Sequence, residues 1–136
     1  MKKHIVFTTF FLLVSSFLFA QSQDYNVVFD ITSKDTAAQQ TVVRQASGIL
    51  KANPNAKVEV VVYGGALDLV TKDKSVAASA IQELAKKASI RVCNITMQRY
   101  KVDKSQLIPG VKTVPDGIYE IVTRQKQGWG YIKVSQ

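Results

Sequence analysis

The chain contains a single cysteine, Cys93, which ends a short apolar run at residues 90–93 (IRVC). One cysteine forms neither an intramolecular disulfide nor a C-x-x-C pair. If the run is a central strand of a parallel sheet, the thiol lies beyond the carboxyl end of that strand, where such sheets bind ligands. The amides and the positive end of a following helical turn favour thiolate over thiol. A thiolate is suited to attack on sulfane sulfur or a disulfide, which gives a persulfide or a mixed disulfide.

The residues around this cysteine limit how it can be activated. The only histidine, His4, lies in an N-terminal segment that we expect to be removed. Without imidazole, the rest of the chain has no Ser-His-Asp or Cys-His pair and no usual zinc site. We therefore expect no cofactor and no metal, and a hydrolase is poorly supported. Arg91 and Arg99 are candidates to place positive charge near the thiol.

The alternative interpretation of Cys93 is structural. Lone cysteines most often behave as small buried apolar residues, and a strand end is an ordinary place for one. The residue pattern leaves the reactive and the structural interpretation open.

Two further features are weaker candidates for chemistry. Gly64 and Gly65 follow the second predicted strand, where their backbone amides could bind an anion. They lack the context of a nucleotide-binding loop, so we interpret them as a tight turn. Asp30 ends the first predicted strand and Asp68 follows the glycine pair. Such carboxylates can act as acid and base if they meet, although they more often cap helices or bind water.

Strand and helix patterns alternate along the chain, which predicts parallel strands joined by right-handed crossovers in a layered α/β fold. Short apolar runs predict five strands, at residues 25–31, 58–63, 90–93, about 112–114 and 129–134. Helical spacing predicts one helix before Asn53-Pro54, a second at about 74–88, a turn or two at 94–100, and a last helix that opens at residues 115–117 and ends at Gly128.

The helical patterns also predict apolar stripes that face the core. The first helix, whose start is marked by Thr32 and Ser33 ahead of Asp35, has the stripe Val42, Val43, Ala46, Ile49 and Leu50. In the second helix we expect burial of Val76, Ala77, Ala80, Ile81, Leu84 and Ala85. In the last helix we expect a stripe of Ile118, Ile121, Val122 and Gln125.

The first 20 residues have the pattern of a signal peptide. Lys2 and Lys3 precede an apolar run at residues 5–20, and polar residues follow. The run is shorter than the roughly 20 apolar residues that span a bilayer. We expect cleavage after Ala20, export to a bacterial periplasm and no stable membrane anchor. Residues 21–136 then form one domain.

The charge balance is basic, with a formal net charge of +8. The basic residues are scattered over predicted helices and loops without interleaved aromatic residues. A solvated surface explains this pattern better than nucleic-acid binding does.

Four segments of the second half of the chain resemble the DsrE/DsrF-like family of sulfur metabolism: residues 92–96 (VCNIT), 107–111 (LIPGV), 114–122 (VPDGIYEIV) and 127–132 (QGWGYI). The resemblance implies a three-layer fold with a five-stranded, mostly parallel sheet between helices, and homo-oligomers such as trimers or hexamers. It also implies that Cys93 carries sulfur as a persulfide. The export signal departs from the family, because its sulfur-relay members work in the cytoplasm.

The sequence thus predicts an exported sulfur carrier or sulfurtransferase-like protein that binds or transfers sulfane sulfur on Cys93. Its partners would be small-molecule or protein donors and acceptors. The predicted binding residues near the thiol are Gly64, Gly65, Asn94, Thr96 and Arg99. The alternative is a noncatalytic binding or assembly module of the same fold, with a pocket formed by Gly64, Gly65 and Cys93.

Overall fold

A computed structural model describes residues 24–135, so the expected signal peptide lies outside the described residues. The strands are β1 (Asn26–Ile31), β2 (Lys57–Val62), β3 (Ser89–Cys93), β4 (Lys112–Val114) and β5 (Gly130–Val134). The α-helices are α1 (Thr36–Ala52), α2 (Ala78–Leu84), α3 (Asn94–Tyr100) and α4 (Gly117–Lys126), and 3₁₀ helices cover Gly64–Val70 and Lys104–Gln106. Between residues 24 and 135, no helix is long and apolar enough to cross a membrane.

The five strands form one sheet in the order β4-β3-β2-β1-β5, and each neighbouring pair is parallel. Parallel neighbours need long crossovers, which the intervening helices provide. The central strands are almost entirely buried, as their β-branched runs predict. The expected α/β fold with a five-stranded sheet is confirmed.

The two faces of the sheet are covered unequally. From β1 to β4, each strand lies on the same side of the one before it, and the connecting helices α1, α2 and α3 pack on one face of the sheet, which we call the first face. Phe29, Val42 and Ile81 share one core there. The connection from β4 to β5 crosses the sheet in the opposite direction. A right-handed crossover must therefore cross the second face, and it carries α4. There, Val28 and Ile121 belong to a much smaller core.

Helix α1 has the boundaries that its sequence predicts. The Asp35 carboxylate caps it by accepting the N–H of Ala38 at 2.9 Å, and Asn53 is its C-terminal cap. The predicted apolar stripe faces the sheet, with Val42 and Ala46 fully buried.

Helix α2 is shorter than predicted and begins at Ala78. The chain before it is tied to another segment, because Thr71 forms an antiparallel bridge with Leu107 and Ile108 N–H donates to the carbonyl of Val70 at 2.9 Å. These bonds hold residues 71–75 in turns. The predicted burial of Val76 and Ala80 is therefore wrong, and Val76 is 56% exposed.

Helix α4 meets the sheet along one narrow side. Ile121 is buried, but Ile118 and Val122 are exposed in this single chain. The prediction that these two side chains face the core is therefore wrong for the isolated chain. Both residues lie on the outward side of the helix, where nothing within residues 24–135 packs above them. The predicted end is confirmed, since Gly128 has a φ of +83° just after the helix.

Candidate functional site

Cys93 lies at the point where the chain changes faces. The connection after β3 packs on the first face, through Met97 of α3, whereas the connection after β4 packs on the second face, through Ile121 of α4. Neighbouring parallel strands whose connections leave to opposite faces open a crevice at their carboxyl ends, and ligands bind there in open α/β sheets. Cys93 ends β3 at this switch point, with Val114 of β4 as its register partner.

The first turn of α4 packs directly over Cys93. A Cβ built on Gly117 would lie 3.2 Å from the Cβ of Cys93, 3.2 Å from Cγ1 of Val61 and 3.5 Å from the Cβ of Tyr63. Glycine is therefore what allows this close approach. As a result Cys93 is only 4% exposed, and its thiol is free of any disulfide.

Two helix starts lie beside the thiol. Cys93 is the N-cap residue of α3 and makes no side-chain capping bond, and Gly117 is the first residue of α4. Helix N-termini favour negative charge within their first turn. At the start of α4 the Asp116 carboxylate occupies such a position, where it accepts the N–H of Ile118 at 2.8 Å. Helix α4 therefore begins next to Cys93.

Polar side chains form a row across the second face. Tyr131 of β5, Asp30 of β1, Tyr63 after β2 and Cys93 of β3 come from four neighbouring strands. Every second side chain along a strand points to the same face. Asp30 is paired with Val61, two residues before Tyr63, so Tyr63 lies diagonal to Asp30. Val62 is paired with Val92, so the next residues along the two strands, Tyr63 and Cys93, lie level with each other. We call these four residues the polar row.

Asp30 is the buried acid of the polar row, with 3% exposure. Its Oδ2 accepts the Tyr131 hydroxyl at 2.6 Å and lies 3.9 Å from Nζ of Lys133. The hydrogen bond to Asp30, together with burial, raises the pKa of Tyr131 to about 12. Burial and then the charge of Asp30 raise the pKa of Tyr63 to about 12 as well. Both tyrosines therefore stay protonated as donors.

Sequence reasoning found Asp30 but missed both tyrosines of the row. The predicted strands at 58–63 and 129–134 contain both tyrosines, but the sequence assigns neither of them a chemical role. The signal available was the alternation of β2 and β3: Val61 and Tyr63 share a face, as do Arg91 and Cys93.

Arg91 does not supply charge to Cys93, because it faces Glu59. The Arg91 Nε lies 3.7 Å from Oε2 of Glu59, a carboxylate that is 1% exposed. Arg124 of α4 binds the same carboxylate with Nε at 3.1 Å and Nη2 at 3.0 Å, and stacks 4.8 Å from the Trp129 ring centroid. This cluster anchors the carboxyl-terminal half of α4 to the sheet. Burial raises the pKa of Glu59, against the lowering effect of Arg124.

The predicted binding residues divide into separate groups. Thr96 is buried and its Oγ1 accepts the N–H of Gly64 at 3.0 Å, so these two residues do meet. Asn94 is half-buried at the start of α3, and Arg99 is exposed on its surface.

Gly64 and Gly65 line a cavity of about 250 Å³ with Lys34, and Cys93 is not among the residues that line it. The segment is a 3₁₀ helix, Gly64–Val70, and not the tight turn that was predicted. Gly64 has a φ of +57°, which turns the chain toward the first-face core, where the rest of that helix packs.

The two carboxylates also do not share a site. Asp68 pairs with Lys74 at 3.5 Å, whereas Asp30 binds Tyr131. Across the described part of the chain, no three His, Cys, Asp or Glu side chains are grouped as a metal site.

We expect Gly117→Ala to lower the free energy of unfolding by about 1–2 kcal/mol, because the new methyl group would press on Cys93 and Val61 in a packed region. Urea denaturation measures this change. Gly48→Ala in α1 is the matched control, since nothing lies within 4 Å of its added Cβ and alanine favours a helix. Equal stability of the two variants would contradict the close packing of α4 over the thiol.

Fold and site together define a parallel α/β domain with a single buried thiol at its switch point. A family model of the DsrE/DsrF-like family matches residues 26–134. The chain belongs to this family.

The solved structures that are similar to this chain include the following three. One is a protein of unknown function, MTH1491 from Methanobacterium thermoautotrophicum, with 28% identity, a TM-score of 0.76, and coverage of 81% of this chain and 99% of that one. BT1422 from Bacteroides thetaiotaomicron, a conserved protein of unknown function, has 16% identity and a TM-score of 0.68, covering 85% and 99%. The ychN protein from E. coli has 12% identity and a TM-score of 0.61, covering 82% and 99%. No curated protein matches the chain.

Proposed function

We propose that this chain is an exported protein that carries sulfane sulfur as a persulfide on Cys93. One observation carries the proposal: the single thiol lies at the topological switch point, between the first turns of two helices. The family membership of residues 26–134 supports it. The proposed location is the bacterial periplasm, after removal of residues 1–20.

The proposed reaction is an exchange between sulfur atoms. The sulfur of Cys93 attacks the outer sulfur of a donor persulfide, R–S–S–H, and forms a new S–S bond while the donor's S–S bond breaks. The donor leaves as a thiol, R–S–H, with the proton that Cys93 gave up. Neither an oxidant nor a reductant is consumed, and the loaded protein passes the sulfur to an acceptor by the same step in reverse.

The burial of Cys93 requires that α4 give way. Its carboxyl-terminal half is held by Arg124, but in its first two turns Ile118 and Tyr119 point outward and remain exposed. In this proposal a donor reaches the sulfur when the first turn of α4, which packs over the thiol, lifts.

Cyanide tests the proposal, because it removes sulfane sulfur as thiocyanate. The purified mature domain is incubated with inorganic polysulfide, freed of excess reagent and treated with cyanide. We expect about one thiocyanate per chain, in keeping with one reactive thiol. A protein that yields no thiocyanate above a buffer control is not a sulfur carrier.

A second candidate, an oligomeric assembly module, is favoured by the outer side of α4. Ile118, Tyr119 and Val122 are exposed there, with Tyr119 at 74%, and Tyr131 of β5 is exposed on the same face of the sheet. Exposed apolar side chains grouped on one face are typical of protein interfaces. A second copy of the chain is the proposed occupant, since homo-oligomers are expected for this family.

We expect Tyr119→Lys to shift the domain toward monomer in sedimentation velocity, because a charge would be buried at the proposed interface. Val76→Lys is the matched control, since Val76 is also exposed but lies ahead of α2, away from α4. A wild-type domain that sediments as a monomer at high concentration contradicts the assembly candidate.

A further inference from the structure

The polar row contains a buried acceptor without a partner. Asp30 is 97% buried, its Oδ2 is occupied by Tyr131, and its Oδ1 is shielded from solvent and makes no hydrogen bond within residues 24–135. An unsatisfied buried carboxylate oxygen costs free energy, so such an atom calls for an explanation. On the far side of Tyr63 along the row, the next reactive group is the thiol of Cys93.

Tyr63 lies between this acceptor and the thiol. It is level with Cys93 in the β2–β3 register and diagonal to Asp30 in the β1–β2 register. The negative charges of Asp30 and of ionised Cys93 each act on its hydroxyl. Because Oδ1 of Asp30 makes no hydrogen bond in the described part of the chain, it is available to accept the Tyr63 proton.

We propose that Asp30 and Tyr63 form a proton relay that deprotonates Cys93 when the thiol reacts. The inference rests on the proposed function, and it assigns to Asp30 and Tyr63 the removal of the thiol proton in that reaction. The thiol proton passes to the Tyr63 oxygen while the Tyr63 hydroxyl proton passes to Oδ1 of Asp30. The sulfur of Cys93 then forms its bond to the donor sulfur, and Asp30 returns the proton along the same path to the departing thiolate.

The surroundings suit Asp30 to this role. Tyr131 donates to Oδ2, and the Lys133 ammonium lies 3.9 Å from the same oxygen, so both contact Oδ2 from β5 while Oδ1 has no hydrogen-bond partner among the described residues. From β2 the facing titratable group is Tyr63. Helix α4 packs over the row with Gly117 and Ile121, which carry no charge. Asp30 is therefore the base of the row, and the tyrosines are its donors.

The test is the rate at which Cys93 reacts with iodoacetamide, followed by mass spectrometry from about pH 6 to about pH 9. The relay predicts that Asp30→Asn slows alkylation about tenfold or more near neutral pH, within the range of general-base effects. The gap should close as the pH rises, because hydroxide then removes the thiol proton directly. Tyr63→Phe should slow the reaction similarly, and the double variant should be no slower than either single one.

A purely electrostatic role for Asp30 predicts the opposite sign. Loss of a negative charge near the thiol favours the thiolate, so Asp30→Asn would react faster than wild type. A faster or unchanged rate overturns the relay. Asp68→Asn is the control, because that carboxylate pairs with Lys74 and lies outside the row. Matching far-ultraviolet circular dichroism and melting curves of the variants exclude misfolding as the cause of a slow rate.

The relay and the proposed function fail in different ways. If wild type takes up no sulfur from polysulfide but Asp30→Asn still slows alkylation, the proposed function is wrong and the relay stands. If sulfur loads and the variant alkylates as fast as wild type, the relay is wrong and the carrier stands. A thiol that resists alkylation in the native protein, while reacting in denaturant, overturns both.

Discussion

The Cys93→Ser protein is expected to take up no sulfane sulfur while retaining its fold. A serine hydroxyl does not form a stable bond with sulfane sulfur, and the chain has no second cysteine to replace the thiol. The variant should lose less than about 1 kcal/mol of stability, because a serine at this N-cap position can accept an N–H of α3, a bond that Cys93 does not make. Cyanide-released thiocyanate measures the first effect and urea denaturation the second.

Cys93→Ala separates chemistry from capping. It should lose sulfur uptake as fully as the serine variant, but it cannot accept the capping bond and should be the less stable of the two. Sulfur uptake that survives in either variant would show that another group holds the sulfur.

The Arg124→Met protein is expected to lose about 2–3 kcal/mol of folding free energy. The substitution leaves Glu59 as a buried charge whose remaining cationic neighbour, Arg91, lies 3.7 Å away without a hydrogen bond. Removal of one partner of a buried ion pair costs about 3–5 kcal/mol, and the partial exposure of Arg124 reduces this figure. Lost contact with Trp129 adds a smaller amount.

Lys86→Met provides the matched control for this loss. Lys86 and Glu83 form an ion pair at 2.6 Å, but both side chains are mostly exposed, and surface pairs contribute about 0–1 kcal/mol. Denaturant midpoints of the two variants measure the contrast. Similar losses in both would show that the Glu59 cluster does not anchor α4.

The loss in Arg124→Met should shrink in acid. Burial raises the pKa of Glu59 above its ordinary value of 4.5, so in the folded state its carboxylate gains a proton at a higher pH than in the unfolded chain. The folded state is then favoured increasingly as the pH falls toward 4.5, because a protonated Glu59 no longer carries an unpaired buried charge. Above the folded-state pKa the full loss remains.

The strands and α1 follow from local sequence. Runs of β-branched residues such as 58–62 favour strands covered on both faces, and the apolar period before Asn53 favours one long helix. These signals lie within a few residues of each other, and the tertiary contacts do not change the secondary structure that they predict. The predicted bounds of β3, α3 and β4 agree with the structure for the same reason.

The failures come from contacts between distant segments. Helix α2 starts late because Thr71 bridges Leu107, and Gly64 enters a 3₁₀ helix whose first N–H is held by Thr96. Neither bond leaves a local sequence signal. The exposure of Ile118 likewise depends on what lies above α4, which the period of a single helix does not specify.

The same reasoning applies to the candidate site. The sequence alone predicted that Cys93 lies at a strand end, because this prediction needs only the strand and the turn that follows it. The polar row needs the register of four strands, and the closing turn needs the packing of Gly117 on residues far away in sequence. Arg91 was one of two candidates to place positive charge near the thiol, and the sequence did not show that its partner in the fold is Glu59.

The most direct test of the central claim is to locate the sulfur. The native mature domain is treated with inorganic polysulfide, its persulfides are alkylated, and the digested peptides are weighed by mass spectrometry. We predict that the peptide containing Cys93 gains the mass of one or more sulfur atoms, and that dithiothreitol removes them. A Cys93 peptide that keeps its original mass under conditions that load a small-molecule thiol would contradict the account.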